Sequence, residues 1–287
     1  MKFMLREIFL RAAQEHWATG HFNASELDQM RAIVEACKEV GAPAIIGTSE
    51  GEGKHLGYVE AVVLRDVFRK EYDIPIFLNA DHHKSVVAAK EAIDAGYDSV
   101  HIDLSALSFE ENIQGTREVR NYRGSTSINI EGELGYLRGD SKIQKEKIDV
   151  EPEDYTDPMQ AREFVEKTGV DRLAIAVGNI HGISFDEPDI DIERIRAIRG
   201  MVPQDVALVL HAASGIPDNQ IRAAIAAGIA NIHINTNIRL SYVNELRKSL
   251  ETHMDEAAMY KLDSEAARAM RGIVKGKLHL FGCINKI

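Results

Sequence analysis

The chain has few cysteines and no long apolar run, and these absences exclude several classes of protein. Only two cysteines, Cys37 and Cys283, occur among 287 residues. Because neither has a metal-like spacing, we expect reduced thiols and a cytoplasmic location. No apolar run approaches the ~20 residues of a membrane-spanning helix, and the charged residues 1–7 do not resemble a secretory signal. A membrane partner is therefore not expected.

Basic residues are also scarce relative to acidic ones. Lys and Arg number 34 against 45 Asp and Glu, for a formal net charge of −11. Since binding to a phosphate backbone needs clustered Lys and Arg, a nucleic-acid partner is not expected. The composition, 45% hydrophobic and 28% charged, is typical of a globular protein. No Pro-, Gly- or Ser-rich linker interrupts the chain, so we expect a single domain over residues 1–287.

Short apolar, β-branched runs alternate with amphipathic helical stretches along most of the chain. Eight runs are strand candidates: 18–22, 44–47, 74–78, 99–102, 127–130, 172–177, 207–210 and 230–234. The alternation favours parallel pairing, and eight units predict the α/β fold class as a (β/α)₈ TIM barrel. The helical pattern at 237–275 predicts extra C-terminal helices. An open doubly wound sheet is the alternative, but no Gly-x-Gly-x-x-Gly motif joins a strand to a helix.

Two helices have clear boundary signals, and one segment lacks them. Residues 85–95 are Ala-rich and stop at Gly96, and a second Ala-rich helix begins at Pro217 and stops at Gly228. Residues 138–158 are charged and irregular. Because they are too long for an ordinary connection between a strand and a helix, we interpret them as a functional loop or lid.

Histidines follow three of the predicted strands, at the end of a barrel where active sites lie. His82, His181 and His211 come after the third, sixth and seventh strands. Three convergent imidazoles with an open fourth position are typical of a zinc-type site, which cobalt or iron also fits. His83 is not expected to be a ligand, because adjacent side chains point apart. Six other histidines are interpreted as ordinary surface or core residues: His16, His21, His55, His101, His253 and His279.

The loops after the last two strands resemble phosphate-binding loops. Ser214 precedes the helix that begins at Pro217, and Asn235 and Thr236 lead directly into another helix. Helix N-termini offer free N–H groups and a favourable dipole to an anion, and barrels place phosphates on these two loops. The sequence thus predicts a phosphate subsite here. The alternative is that each residue only caps its helix.

Seven short motifs spread over nearly the whole chain match one known family. They lie at residues 20–23, 78–82, 131–135, 164–171, 177–182, 210–215 and 280–282. The combination of Asp-His, Asn-x-His-Gly and His-x-x-Ser-Gly is specific. On these motifs the chain resembles the class II, zinc-dependent ketose-bisphosphate aldolases, which include the fructose-1,6-bisphosphate and tagatose-1,6-bisphosphate enzymes.

The resemblance implies a metal centre and a proton-transfer group. His82, His181 and His211 would hold one catalytic zinc ion per chain, with Glu133 holding the metal in an alternative, inward position. Asp81 would exchange a proton with the hydroxyl that becomes the aldehyde. Zinc would act as a Lewis acid on the ketone. A Schiff-base mechanism is not expected, because no strand end carries a lysine and Lys84, which follows the two histidines, is expected to start a helix.

The resemblance also implies the substrate and the assembly. Gly182, Ser214 and Thr236 would bind a phosphate, and Asn23 and Ser49 match other substrate-side positions. The expected partner is a phosphorylated sugar, with fructose-1,6-bisphosphate first and the tagatose isomer or another phosphorylated ketose as alternatives. Relatives are dimers or larger, so we expect a homodimer or homotetramer. Some relatives bind a monovalent cation near the phosphate, which makes that ion a second candidate cofactor.

Three departures from the family pattern affect the same half of the site. The loop at 138–142 lacks the usual acidic residue, for which Asp140 or Glu146 could substitute. His233 stands where relatives have an asparagine that touches the substrate, so we place it among the substrate-binding candidates. Ala212 replaces the usual glycine. These changes keep open a different donor substrate, or a non-catalytic metal-binding paralogue with a regulatory role.

Overall fold

The computed structural model describes residues 4–184, 186 and 188–287, and its centre is a closed barrel of eight parallel strands. The barrel strands are β1 (Thr19–Asn23), β2 (Ala44–Ser49), β3 (Ile76–His83), β4 (Ser99–Ile102), β5 (Asn129–Leu134), β7 (Arg172–Ile175), β9 (Ala207–Leu210) and β10 (Ile229–Ile234). Each strand pairs in parallel with its neighbours in the order β1, β10, β9, β7, β5, β4, β3, β2, and β2 closes on β1. The predicted α/β barrel is confirmed, and every strand candidate corresponds to one of these strands.

Two further strands, β6 (Gly139–Ile143) and β8 (His181–Ile183), form a separate parallel pair beside the barrel. Gly139 pairs with His181, and the Gln144 side chain donates to the His181 carbonyl at 2.8 Å. The segment 138–158, interpreted from the sequence as a functional loop, is therefore docked onto the strand that begins at His181. Close packing explains Gly182, since a Cβ there would collide with the Lys142 carbonyl oxygen.

Helices cover the outside of the barrel. They are α1 (Leu5–Glu15), α2 (Leu27–Val40), α3 (Glu50–Leu56), α4 (Tyr58–Tyr72), α5 (Val86–Ala95), α6 (Phe109–Tyr122), α7 (Pro158–Thr168), α8 (Ile192–Met201), α9 (Asp218–Ala227), α10 (Thr236–Thr252), α11 (Met259–Leu262) and α12 (Ser264–Leu280), with a 3₁₀ turn at Pro152–Asp154. The predicted C-terminal helices are α10 to α12, of which α12 packs on α2 and α10. Among the described residues, no helix combines the length and apolar character needed to cross a membrane.

Helix α5 shows how local sequence sets the element boundaries. The Ser85 hydroxyl accepts a hydrogen bond from the amide of Ala88 at 3.1 Å, so it satisfies a free N–H of the first turn. Gly96 ends the helix with φ +100°, a conformation that favours glycine. The predicted boundaries of α5 are confirmed.

Apolar and polar side chains alternate along the barrel strands. On β4, Val100 and Ile102 belong to the apolar core between the strands and the helices. The intervening Ser99 and His101 are fully buried polar residues on the other face of the same strand. On β10 the polar residue Asn231 likewise bonds the neighbouring strand β1, with its Nδ2 2.9 Å from the Thr19 hydroxyl. The barrel interior is therefore a polar layer beneath the site.

Candidate metal centre and active site

The candidate site is a cavity of about 430 Å³ at the C-terminal ends of the barrel strands, with a smaller cavity adjoining it. Every site residue predicted from the sequence lines one or both of them. Those of the larger cavity are Ser49, Asp81, His82, Glu133, His181 and Asn235. Those that line only the smaller cavity are Asn23, Gly182, His211, Ser214, His233 and Thr236. The fold thus brings the predicted residues together, as the strand-end argument requires.

Two of the three pairs among the histidines expected to bind a metal are close, and the candidate metal position is the point between these rings. The ring centroid of His82 lies 4.5 Å from that of His211 and 5.0 Å from that of His181. A tetrahedral ion with metal–nitrogen bonds of about 2.0–2.1 Å places ligand ring centroids about 5 Å apart. The spacing of these rings therefore fits a shared metal ion.

Carboxylates select which ring nitrogens face that point. His82 Nδ1 lies 2.9 Å from Asp103 Oδ2, and His211 Nε2 lies 2.6 Å from Glu131 Oε1. Metal-binding histidines characteristically bond a carboxylate through their other nitrogen, which fixes the ring. His82 Nε2 and His211 Nδ1 are thus the nitrogens left for a metal. His181 makes no side-chain hydrogen bond within the described residues, so both of its nitrogens are open. This donor set fits a divalent ion.

The electrostatics keep two of the three imidazoles neutral. Burial, with the charges of His82 and His211, lowers the pKa of His181 to about 3. Burial and the charge of His82 also lower the pKa of His211. Neutral imidazole is the form that binds metals, so these rings bind without first losing a proton at neutral pH.

The predicted proton-transfer group, Asp81, is a buried carboxylate held from two sides. Asn23 Nδ2 donates to its Oδ2 at 3.0 Å, and His233 Nδ1 lies 3.2 Å from its Oδ1. Burial raises the pKa of Asp81, but the charge of His82 and the contacts with His101 and His233 outweigh burial and hold the pKa well below its usual range. The carboxylate is therefore ionised and able to accept a proton.

His233 faces the smaller cavity, but both of its nitrogens also contact the protein. Its ring stacks on His21 with centroids 3.6 Å apart, and its Nε2 lies 3.0 Å from Asn231 Oδ1. Its Nδ1 is the atom beside Asp81. Contact with a substrate remains a prediction for His233, whereas its contact with Asp81 is present in the structure.

The two loops predicted to bind phosphate are joined to each other. Ser214 Oγ accepts a hydrogen bond from the amide of Asn237, in the first turn of α10, at 3.2 Å. Asn235 precedes α10 without forming a side-chain cap, and Thr236 is its first residue. Ser214 therefore does not cap α9. Its hydroxyl connects the loop after β9 to α10, the helix after β10. Ala212, which replaces the usual glycine, adopts φ 58°.

The docked loop brings one candidate acid to the larger cavity. Asp140 lines it, and the Lys142 ammonium bonds the Asp140 carboxylate at 2.7 Å. Glu146 is not among the lining residues. Lys84 also lines this cavity, just before α5. Of the two proposed substitutes for the missing loop acid, the geometry thus favours Asp140.

Sequence reasoning missed the roles of two residues beneath the metal centre. The first is His101, which was interpreted as an ordinary surface or core residue. His101 is fully buried, and its ring centroid lies 4.6 Å from those of both His82 and His211. The signal was the two-residue spacing of Ser99, His101 and Asp103, which places all three on one face of a strand. His83 lies apart, as expected, with Nε2 3.0 Å from the Tyr58 hydroxyl.

The second missed residue is Arg172, a fully buried arginine at the start of β7. Its guanidinium donates to Asn129 Oδ1 at 2.7 Å and to Ser99 Oγ at 2.6 Å. One terminal nitrogen lies 2.8 Å from Glu131 Oε2, forming a fully buried ion pair. Because Glu131 also contacts His211, Arg172 supports the candidate metal centre from below. An arginine at the first position of the predicted strand 172–177 gave no sign that its side chain is buried in the barrel.

The cavity at the C-terminal ends of the barrel strands holds three histidines that could bind a metal and an ionised aspartate that could move a proton, which is the equipment of a metal-dependent enzyme. The sequence profile described as "Fructose-bisphosphate aldolase class-II" matches residues 4–286. The chain therefore belongs to the class II fructose-bisphosphate aldolase family. Membership confirms the predictions of an aldehyde-lyase enzyme and a phosphorylated sugar substrate, and it implies a divalent metal cofactor.

Individual relatives agree with this assignment. Two strains of Staphylococcus epidermidis have proteins named "Fructose-bisphosphate aldolase" that are 35% identical over 98% of each chain. The crystal structure of the YdjI aldolase from Escherichia coli K12 is 31% identical, with a TM-score of 0.83 over 98% of this chain and 97% of that one. A putative fructose-1,6-bisphosphate aldolase from Coccidioides immitis is 26% identical, with a TM-score of 0.84 over 99% and 97%.

Proposed function

We propose that the chain reversibly cleaves fructose-1,6-bisphosphate to dihydroxyacetone phosphate and glyceraldehyde 3-phosphate. The observation that carries the proposal is the ionised Asp81 carboxylate beside His82, His181 and His211 in one cavity. The name of the Staphylococcus relatives supports this substrate. Tagatose-1,6-bisphosphate and other phosphorylated ketoses are the alternative substrates, and a non-catalytic metal-binding paralogue is the alternative function, which family membership does not favour.

The proposed cofactor is one zinc ion per chain, held by His82 Nε2, His211 Nδ1 and His181. Three imidazole ligands with an open position suit zinc, and cobalt or iron fits the same set. Glu133 is proposed as a ligand in an alternative position, since its carboxylate, His82 and Asp103 lie within 4.8 Å of one another. When bound, the metal supplies Lewis-acid polarisation of the ketone and stabilises the negative charge left by cleavage.

Asp81 is proposed to start cleavage by taking the proton of the C4 hydroxyl. As the C3–C4 bond breaks, its electron pair stays on C3 and the C4 oxygen becomes the aldehyde oxygen. The bonds from Asn23 and His233 hold the Asp81 carboxylate in place for this transfer. C3 must then receive a proton, and Asp140 is proposed to pass it on from solvent, because its exposed carboxylate lines the same cavity. The condensation runs the same proton transfers in reverse.

The substrate's phosphate is proposed to bind at the start of α10. The helix dipole and the amide N–H groups of the first turn that Ser214 leaves free attract an anion there, and the residues around that point are Gly182, Ser214, Asn235 and Thr236. Asn23 and Ser49 are proposed to contact the sugar from the opposite wall. A monovalent cation near the phosphate remains part of the proposal.

The test is a cleavage assay on fructose-1,6-bisphosphate with zinc-loaded protein, before and after treatment with EDTA. We expect turnover that EDTA abolishes and zinc restores. His211→Ala should lose both zinc and turnover, because it removes one of three ligands. A parallel assay on tagatose-1,6-bisphosphate shows which of the two sugars the protein cleaves faster. One bound zinc per chain without turnover on either sugar would contradict the proposal and favour the non-catalytic paralogue.

The proposed assembly is a homodimer or homotetramer. Helix α4 carries an exposed apolar stripe of Val59, Val63 and Val67, which are 60%, 56% and 49% exposed. Residues four apart share one helix face, so the stripe is continuous and suits a subunit contact. Size-exclusion chromatography with light scattering tests the assembly, and a monomer at micromolar concentration would contradict it.

The proposed location is the cytoplasm, with residues 1–287 as a single domain. Cys37 and Cys283 are both free and buried, and burial raises the pKa of each thiol. Two reduced thiols fit a reducing compartment. Thiol titration of the denatured protein after isolation tests this, and fewer than two free thiols would contradict it.

A further inference from the structure

His101 and Glu133 present two unpartnered buried atoms to each other beneath the metal centre. His101 is fully buried, and Glu133 is 1% exposed. Within the described residues, neither His101 Nε2 nor Glu133 Oε2 meets the geometry of a hydrogen bond with any group, yet they lie 3.2 Å apart. A buried polar atom without a partner is destabilising, so these two groups need either each other or a bound ion.

A backbone hydrogen bond to His101 fixes the tautomer of its ring and so shows whether Nε2 can bind an ion or only pair with Glu133. The amide N–H of His82 donates to His101 Nδ1 at 3.3 Å. Nδ1 therefore uses its lone pair, and the hydrogen of the neutral ring lies on Nε2; a protonated ring carries a hydrogen there as well. A nitrogen that carries hydrogen cannot bind a metal. His101 Nε2 is thus a donor that faces a carboxylate oxygen.

Glu133 is also within reach of the metal centre. Its Oε2 lies 3.7 Å from His82 Nδ1, the nitrogen that faces Asp103, and ligand atoms of Glu133, His82 and Asp103 lie within 4.8 Å of one another. Glu133 also lines the same cavity as His82 and His181, so an unrestrained carboxylate can turn toward an ion held there. Whether the Glu133 carboxylate binds the ion depends on which other groups hold this carboxylate.

We propose that His101 is a positioning residue whose Nε2–H holds the Glu133 carboxylate and keeps it from the metal bound by the three histidines. This inference rests on the proposed function, because it requires a metal at His82, His181 and His211. Restraining Glu133 keeps the fourth coordination position open for the substrate. Release of Glu133 would fill that position.

The experiment uses the cobalt(II)-loaded protein, whose visible absorption band shifts when the ligand in the fourth position changes. In His101→Met, we expect a shifted absorption band, about tenfold tighter metal binding in chelator competition, and about tenfold lower kcat with KM within twofold. A hydrogen bond to a charged group has the strength for a change of this size. His101→Gln keeps an N–H donor near the same place and should resemble the wild type.

Two further variants separate positioning from general damage. In Glu133→Gln the competing carboxylate is absent, so adding His101→Met should leave the absorption and the metal affinity unchanged. His279→Met removes an exposed imidazole on α12 and should behave as the wild type. Weaker metal binding in His101→Met would identify a ligand and overturn the proposal. So would an effect that persists in the Glu133→Gln background, or a glutamine variant that fails as the methionine variant does.

A measurement on the protein with His101 intact covers the case that His101→Met does not fold. In ¹⁵N-histidine-labelled protein, Nε2 of His101 should carry hydrogen, and its signal should shift in Glu133→Gln. An unprotonated Nε2, or a signal that does not shift, would overturn the inference. Failure of the wild type to bind metal or to turn over would instead refute the proposed function, so the two failures are distinguishable.

Discussion

Replacing Arg172 by methionine tests whether the ion pair inside the barrel supports the fold. Arg172 and Glu131 are both fully buried, and a guanidinium nitrogen lies 2.8 Å from Glu131 Oε2. Methionine has a similar length but no charge and no donors. In Arg172→Met the Glu131 carboxylate therefore stays buried without its counterion. Asn129 and Ser99 also lose a donor.

The magnitude follows from the burial of both partners. Breaking a buried ion pair by removing one partner destabilises a protein by roughly 3–5 kcal/mol, because the remaining charge is uncompensated. A typical domain is stable by only about 5–15 kcal/mol, so Arg172→Met should remove a large share of the stability. Adding Glu131→Gln removes the orphaned charge. We expect the double variant to be more stable than the sum of the single changes predicts, by about 2 kcal/mol.

Urea unfolding of the metal-free protein measures these changes. The matched control is Arg162→Met, since Arg162 pairs with Glu166 at 2.8 Å on the surface, where both side chains are about half exposed. An exposed pair adds little to stability, so the control should unfold at the wild-type midpoint. An Arg172→Met midpoint equal to that of the control would refute the reasoning. Strictly additive effects in the double variant would refute the ion-pair part of it.

The same pair should influence metal affinity through His211. Glu131 Oε1 lies 2.6 Å from His211 Nε2, so Glu131→Gln removes the carboxylate that orients this ring. Loss of such a partner typically weakens metal binding about 10- to 100-fold. Chelator competition on the folded single variant checks this, and an unchanged affinity would show that His211 needs no support from Glu131.

Three further predictions concern the loop acid, pH and a helix cap. In the cleavage assay, Asp140→Asn should lower kcat by roughly 10²–10⁴-fold, whereas Glu146→Gln should leave kcat unchanged. The reverse result would assign the role of the loop acid to Glu146. Burial lowers the pKa of His21 and of His83 to about 4, so the unfolded chain takes up protons below pH 6.5 that the folded chain does not. The metal-free protein should therefore lose about 2 kcal/mol per imidazole between pH 7 and pH 5, and a urea midpoint that rises on acidification would contradict this. Ser85→Ala should destabilise by about 1 kcal/mol in urea, and Ser85→Thr should not.

The alternation of apolar runs and helical patterns was sufficient to predict the barrel, but not every strand boundary. The predicted runs 99–102 and 207–210 coincide with β4 and β9. Strand β3 extends to His83, five residues beyond the predicted end at Leu78. The extension contains polar residues, and an apolar-run criterion stops where they begin. Strand β6 was not predicted, because its residues are largely exposed and its pairing partner β8 follows almost forty residues later.

The strand-end rule found the residues at the mouth of the barrel, but it gave no role to His101 and Arg172 one layer below. Read backwards in steps of two, β4 leads from Asp103 to His101, and β5 leads from Glu133 to Glu131. In most barrels such interior positions hold Val, Ile or Leu, which pack without specific partners. Here they are polar, and some depend on a side chain from another strand, as Glu131 does on Arg172. A single sequence shows the polar residues but not the pairing across the barrel. The choice of each such interior residue therefore depends on its partner. These pairs also position the metal centre above them, since Glu131, which Arg172 holds, contacts the His211 ring.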